Sequence, residues 1–329
     1  MKWMQKLLGV TVVTVIMSLL PLTVVGHAED NHTQKPATQG QVRALSKPYV
    51  VYGSGAVQRT QIAQTLGINK NYEKLVINGK DARYIGINQV NDSDMISSVA
   101  VAPAEPGTGV LVNIEKFEGQ NNIQRVSAQE YAMAATMAGL KDVIITVTSE
   151  KPVSGDSALA GVYKALQTDG MPMDPRNVNA ANHLMDVTNG IIMPDDKSSH
   201  RLTAAVTDTA SELASQKQKH AKIDDSRVDN QLVVNLKQRR VANDVNGDQM
   251  AQLKEALKAV NAAPISDSKA FVKQSAQLAN KINASSGNTM ADADDFKNSQ
   301  DAHNASNWFV ENIVHPVQRF FTAIKDRLN

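Results

Sequence analysis

The side chains best placed for chemistry lie in the turn Lys151-Pro-Val-Ser-Gly-Asp-Ser157, between the apolar run at 142–148 and the helical pattern at 158–166. Where a strand ends and a helix begins, free backbone N–H groups and the positive end of the dipole make a natural place for an anion or a substrate. Ser154 and Ser157 are the candidate nucleophiles there, and Ser154 with Gly155 the candidate binding residues. Neither serine stands in a G-x-S-x-G turn, and no histidine or lysine has a spacing that marks it as the base. Ser154 as an N-cap, with Asp156 offsetting the dipole, accounts for the same residues without catalysis.

Asp244, Asn246, Asp248 and Glu255 have the spacing of calcium-loop oxygens at positions one, three, five and twelve. Gln249 stands where that loop needs glycine, and the apolar period that follows asks for a helix with Asp248 as its N-cap. The set is therefore a calcium candidate with a helix start as the plainer account. Gly53-Ser54-Gly55 imitates a dinucleotide fingerprint, but Gln58 replaces the third glycine and the next strand ends on Asn78 rather than an acid. No cofactor is expected. The histidines beyond residue 28 (His32, His183, His200, His220, His303 and His315) form no H-x-x-x-H or H-E-x-x-H pair, so no zinc site is expected.

A second kind of candidate lies at 307–329. Half of the six phenylalanines and one of the two tryptophans fall there. Trp308, Phe309, Phe320 and Phe321 recur with Ile313, Val317 and Ile324 at helical spacing, and Pro316 interrupts them. The pattern suits an amphipathic helix on a membrane surface or a partner, or one that completes this chain's own core.

These groups need a scaffold, and the sequence orders one. Lys2 and Lys6, an apolar run from Leu7 to Val25 and the small-x-small site Gly26-His27-Ala28 are the parts of a signal peptide, with cleavage expected after Ala28. Retention of the run as an anchor is the alternative, because its length is close to a membrane span. Loss of Lys2 and Lys6 takes the formal charge from +1 to −1, which leaves no electrostatic reason to bind nucleic acid. There is no cysteine, so an exported form must hold itself by its core rather than by disulfides. Residues 29–47 read as a flexible polar spacer.

Residues 48–170 alternate strand and helix patterns. Ser97–Val101 and Val110–Ile114 flank a Pro-Gly turn and read as a hairpin, and Ser127 with Glu130 forms a capping box before a helix. Residues 171–283 carry only helical periods, and 284–306 is a polar linker. The expected fold class is an α+β or mixed-sheet α/β domain, then an all-helical subdomain, then a separate amphipathic C-terminal helix.

Ser97-Ser98-Val99, Ala102-Pro103, Gly107-Thr108-Gly109, the Ala-rich helix after Tyr131, and Pro152-Val-Ser-Gly155 leading to Gly161-Val-Tyr163-Lys164-Ala165 form a recognisable series. In it the chain resembles the YpuA-like family of exported Firmicute proteins, a domain of unknown function (1002). The resemblance covers about 49–282 and is strongest over 97–165. It implies an exported protein of a Gram-positive envelope and brings no catalytic residues. The expected function is an envelope protein that binds a cell-wall polymer, the membrane surface or another envelope protein. The alternative is an envelope hydrolase or transferase using Lys151–Ser157.

Overall fold

The computed structural model describes residues 42–171 and 173–284. The expected signal peptide, most of the first spacer, the linker from 285 and the segment holding Trp308, Phe309, Phe320 and Phe321 lie outside the described residues.

Strands form where β-branched residues run together: β1 (Tyr49–Gly53), β2 (Glu73–Ile77), β3 (Ser98–Pro103), β4 (Val110–Ile114) and β5 (Val143–Thr148). They make one mixed sheet in the order β2-β1-β3-β5-β4. β1 runs parallel to β2 and β4 to β5, while β3 is antiparallel to both its neighbours. The expected hairpin of β3 with β4 does not form, because β5 lies between them. β5 is apolar enough to be central, and that position satisfies both of its hydrogen-bonding edges. Asp142 fastens the connecting loop across its start: the carboxylate accepts from the N–H groups of Gly107 (2.9 Å) and Gly109 (3.1 Å). Its carbonyl accepts from Ala104 N–H at 2.7 Å.

Period-two alternation divides the sheet. Val50, Tyr52 and Ala100 face α1 (Arg59–Thr65) through Ile62, in a small cluster closed by Phe117. Val51, Val99, Val101, Val112 and Ile145 face the main core with α2 (Ala128–Met137) and α3 (Asp156–Thr168). α3 packs on β1 and β3 at the closest approach that a side chain allows. A Cβ on Gly161 would lie 2.8 Å from Val99 Cγ1 and 3.3 Å from Val51 Cβ. Gly161→Ala gains helix propensity of about 1 kcal/mol but overpacks a closed contact at about 1–3 kcal/mol. A lower urea midpoint with an unchanged slope is expected, and a raised midpoint would refute the close fit.

Other residues of the same motif tie α3 to its surroundings. Tyr163 OH donates to Asn182 Oδ1 at 3.0 Å, and Lys164 Nζ donates to Asp81 Oδ2 at 2.6 Å. Burial, with Asp186 nearby, raises the Tyr163 hydroxyl above its ordinary range.

The helical region comprises α4 (Pro175–Asn189), α5 (Asp196–Gln218), α6 (Asp225–Gln238), α7 (Gly247–Ala262) and α8 (Lys269–Ala284). Leu202, Val206, Leu213, Val228, Leu232, Leu236, Leu253, Leu257, Val260, Phe271 and Leu278 are buried, as their periods require. They belong to the same apolar cluster as the α2/α3 face of the sheet. α2 joins the two parts: all ten of its residues are buried, and it packs on β4 and also on α4, α5 and α8.

Residues Val42–Lys47, expected to be the end of a flexible spacer, are held in place instead. Arg43 N–H donates to Gly139 O (3.0 Å), Lys141 N–H donates to Arg43 O (3.1 Å), and Leu45 is buried. The Asp169 carboxylate accepts from Ser46 N–H (3.1 Å) and Tyr49 OH (3.0 Å). Polarity concealed this docking because its partners Gly139, Lys141 and Asp169 lie far along the chain, beyond any local pattern. Among the described residues no helix is long and apolar enough to cross a membrane.

Candidate functional site

The turn after β5 is bound into the fold on every side. Val153 N–H donates to Asn122 O and Gln124 N–H to Val153 O, both at 2.9 Å. Ser154 O accepts from the N–H groups of Arg125 (3.2 Å) and Val126 (3.0 Å). The expected cap is displaced by one residue: Gly155, at φ +105°, is the N-cap of α3. Ser154 Oγ accepts only from Asp156 N–H at 3.4 Å. Tyr131 OH donates to Gly155 O at 2.7 Å.

The start of α3 is satisfied from a strand far away in sequence. Ser97, fully buried beside β3, accepts from Ala158 N–H through its Oγ at 2.9 Å. The same Oγ is 2.6 Å from Ser157 Oγ. Ser157 is itself buried, so its hydroxyl completes a structural pair. Neither Ser154 nor Ser157 is hydrogen-bonded to a histidine, lysine or carboxylate side chain among the described residues. Gly155 is needed for its positive φ and for lack of space around its Cα.

The glycine pair after β1 is likewise filled by the chain itself. A Cβ on Gly53 would meet Met95 O at 2.2 Å, and one on Gly55 would meet Ser93 O at 2.3 Å. The Glu150 carboxylate accepts from the N–H groups of Val57 and Gln58, where a pyrophosphate would need them.

The calcium candidates are drawn apart by helix formation. α7 begins at Gly247, and its N-cap is Asn246, not Asp248. Asn246 Oδ1 accepts from Gln249 N–H, and Gln249 Oε1 accepts from Asn246 N–H, both at 2.9 Å. The residue that fails as the loop glycine therefore completes a capping box. Asp248 and Glu255 lie two turns apart on α7, about 10 Å along the axis at 1.5 Å per residue. Glu255 pairs with Lys258 at 3.1 Å, so the four residues do not converge. Among the described residues no three histidine or acidic side chains group as a metal site.

A cavity of about 440 Å³ is lined in part by the 121–127 segment. It takes its walls from β4, the start of α2, the α4–α5 connection and the first turns of α5. Ile114, Ile123, Val126, Ile191, Met193 and Leu202 contribute apolar side chains, all of them buried. Ser127, Glu130, Thr188, Asn189, Asp196 and His200 add polar groups, Arg125 contributes an exposed charge, and Ile192 stands 92% exposed. Polar groups make up the larger part of its surface, so the cavity is a polar recess backed by buried apolar side chains.

Glu130 is the unusual member. The predicted capping box forms: Ser127 Oγ accepts from Glu130 N–H (3.3 Å), while Glu130 Oε2 accepts from Ser127 N–H (2.7 Å) and Oγ–H (2.9 Å). The residue is only 4% exposed. Burial pushes its carboxyl up to about 7, against the Ser127 hydrogen bonds and the Arg125 charge, with Asp156 adding to the rise. A carboxyl poised near neutrality in a cavity is a functional-site signal. Sequence reading placed Glu130 only as a cap, since spacing shows its bond to Ser127 and not the distant segments that desolvate it.

A family model described as "Protein of unknown function (DUF1002)" matches residues 53–278, and no curated protein and no solved structure matches the chain.

Proposed function

The chain belongs to the DUF1002 family of proteins of unknown function, and from that premise we propose an exported cell-envelope protein that acts by binding rather than by catalysis. The observation that carries the binding reading is the 440 Å³ cavity between α2 and the α4–α5 connection. Export rests on the N-terminal pattern of Lys2, Lys6, the apolar run and Gly26-His27-Ala28. The partner is a cell-wall polymer, the membrane surface or another envelope protein. The aromatic segment at 307–329 is the second contact by its spacing.

The test follows the full-length protein, tagged at its C-terminus, through fractionation of a Gram-positive host. A mature form starting at Glu29 and recovered with the envelope is expected; an intact form confined to the cytosol overturns export. Ile192→Asp should release the protein from the envelope fraction at little cost in stability, because the side chain is 92% exposed. Deletion of 307–329 separates the two contacts: release by deletion alone would move binding from the cavity to the tail.

A further inference from the structure

We propose that this cavity takes a small ligand presenting a primary ammonium group, with Glu130 as the partner of the ammonium. The inference rests on the binding reading and adds the chemistry of the ligand. Glu130 is buried at the cavity wall, and its only hydrogen bonds come from Ser127 N–H and Oγ–H. Among the described residues no lysine or arginine forms an ion pair with it. A buried ionised carboxylate without a cation is costly, and a cation entering the cavity recovers that cost.

The surrounding charges favour the same sign of ligand. α5 supplies Asp196 as well as His200, and α3 supplies the field of Asp156. α4 ends beside the cavity with Thr188 and Asn189, so the negative end of its dipole lies there. Its Asp186 and His183 lie in the same charge group as Arg125 and Asp156. Arg125 from the 121–127 segment opposes a cation, but it is exposed and screened by solvent. The starts of α2 and α5, which would otherwise attract an anion, are already capped by Ser127 with Glu130 and by Asp195.

Three probes of one shape separate the possibilities: isopentylamine (cation), isopentanol (neutral) and isovalerate (anion). Titration calorimetry on the full chain is expected to show the amine binding best at pH 8. Its affinity should fall about tenfold or more at pH 5.5, where little of Glu130 is ionised and the competent fraction is small. Glu130→Gln keeps a capping side chain at the third helical position and should weaken the amine at least tenfold at pH 8 while leaving isopentanol unchanged. Isovalerate or isopentanol binding as tightly as the amine, or an amine affinity indifferent to Glu130→Gln, overturns the ammonium assignment. If that binding is still lost in Ile192→Asp, the cavity remains a binding site. No binding of any probe at millimolar concentration overturns both readings.

Discussion

Gly155→Ala is expected to lower folding stability by about 3 kcal/mol or more, the sum of backbone strain and overpacking. Gly155 holds φ at +105°, a conformation that L side chains rarely adopt. Its Cβ would lie 2.6 Å from Tyr131 Oη and 2.9 Å from Ile123 Cγ2. Tyr131 cannot retreat cheaply, since it is fully buried and its hydroxyl donates to Gly155 O. The measurement is a urea unfolding curve for the variant beside Ser154→Ala. Ser154→Ala should stay within about 1 kcal/mol of wild type, because its hydroxyl makes one long bond. A Gly155→Ala protein as stable as wild type would sink the assignment of this turn as a packing keystone.

Glu130→Gln is expected to change how stability depends on pH. Burial raises the folded-state value to about 7, above the ordinary 4.5, so the folded protein binds the proton more tightly than the unfolded chain. The stability attached to the protonated carboxyl is fully present below about pH 4.5 and is lost as pH rises through about 7. The loss is about 3 kcal/mol when complete, at 1.36 kcal/mol per pH unit. Gln neither ionises nor abandons the cap. The variant should therefore match wild type near pH 4.5 and exceed it increasingly up to pH 8. Asp186, also raised by burial, contributes to both proteins and cancels in the difference. Parallel stability profiles from pH 4.5 to 8 would show that Glu130 is not desolvated in solution.

The two residues mark how far local pattern reaches. The capping box of Ser127 with Glu130 is a contact three residues long, and reading it needed nothing beyond the sequence. The same Glu130 is a titrating cavity group because Thr188, Ile191, Met193, Asp196 and Leu202 close over it from some sixty to seventy positions away. The start of α3 shows the same limit. Ser154 has the right type and place for a cap, yet Ser97, just before β3, accepts from Ala158 N–H instead. Hairpin reading failed for a related reason. A Pro-Gly turn between two apolar runs permits direct pairing, and only competition for β5 showed that both strands pair with it instead.

By itself the sequence determined the mixed sheet followed by helices, since periods of two and 3.6 are local and are enforced by burial of one face. It also placed a helix start at the calcium candidate, but it put the cap at Asp248, whereas Asn246 with Gln249 makes it. Tertiary structure alone decided where a ligand could lie. It consumed Ser154, Gly155 and Ser157 in packing and brought Ile114, Glu130, Asn189 and His200 to one cavity. A concave site is built from surfaces that different elements leave uncovered when they pack, and no residue carries that information in its own neighbourhood.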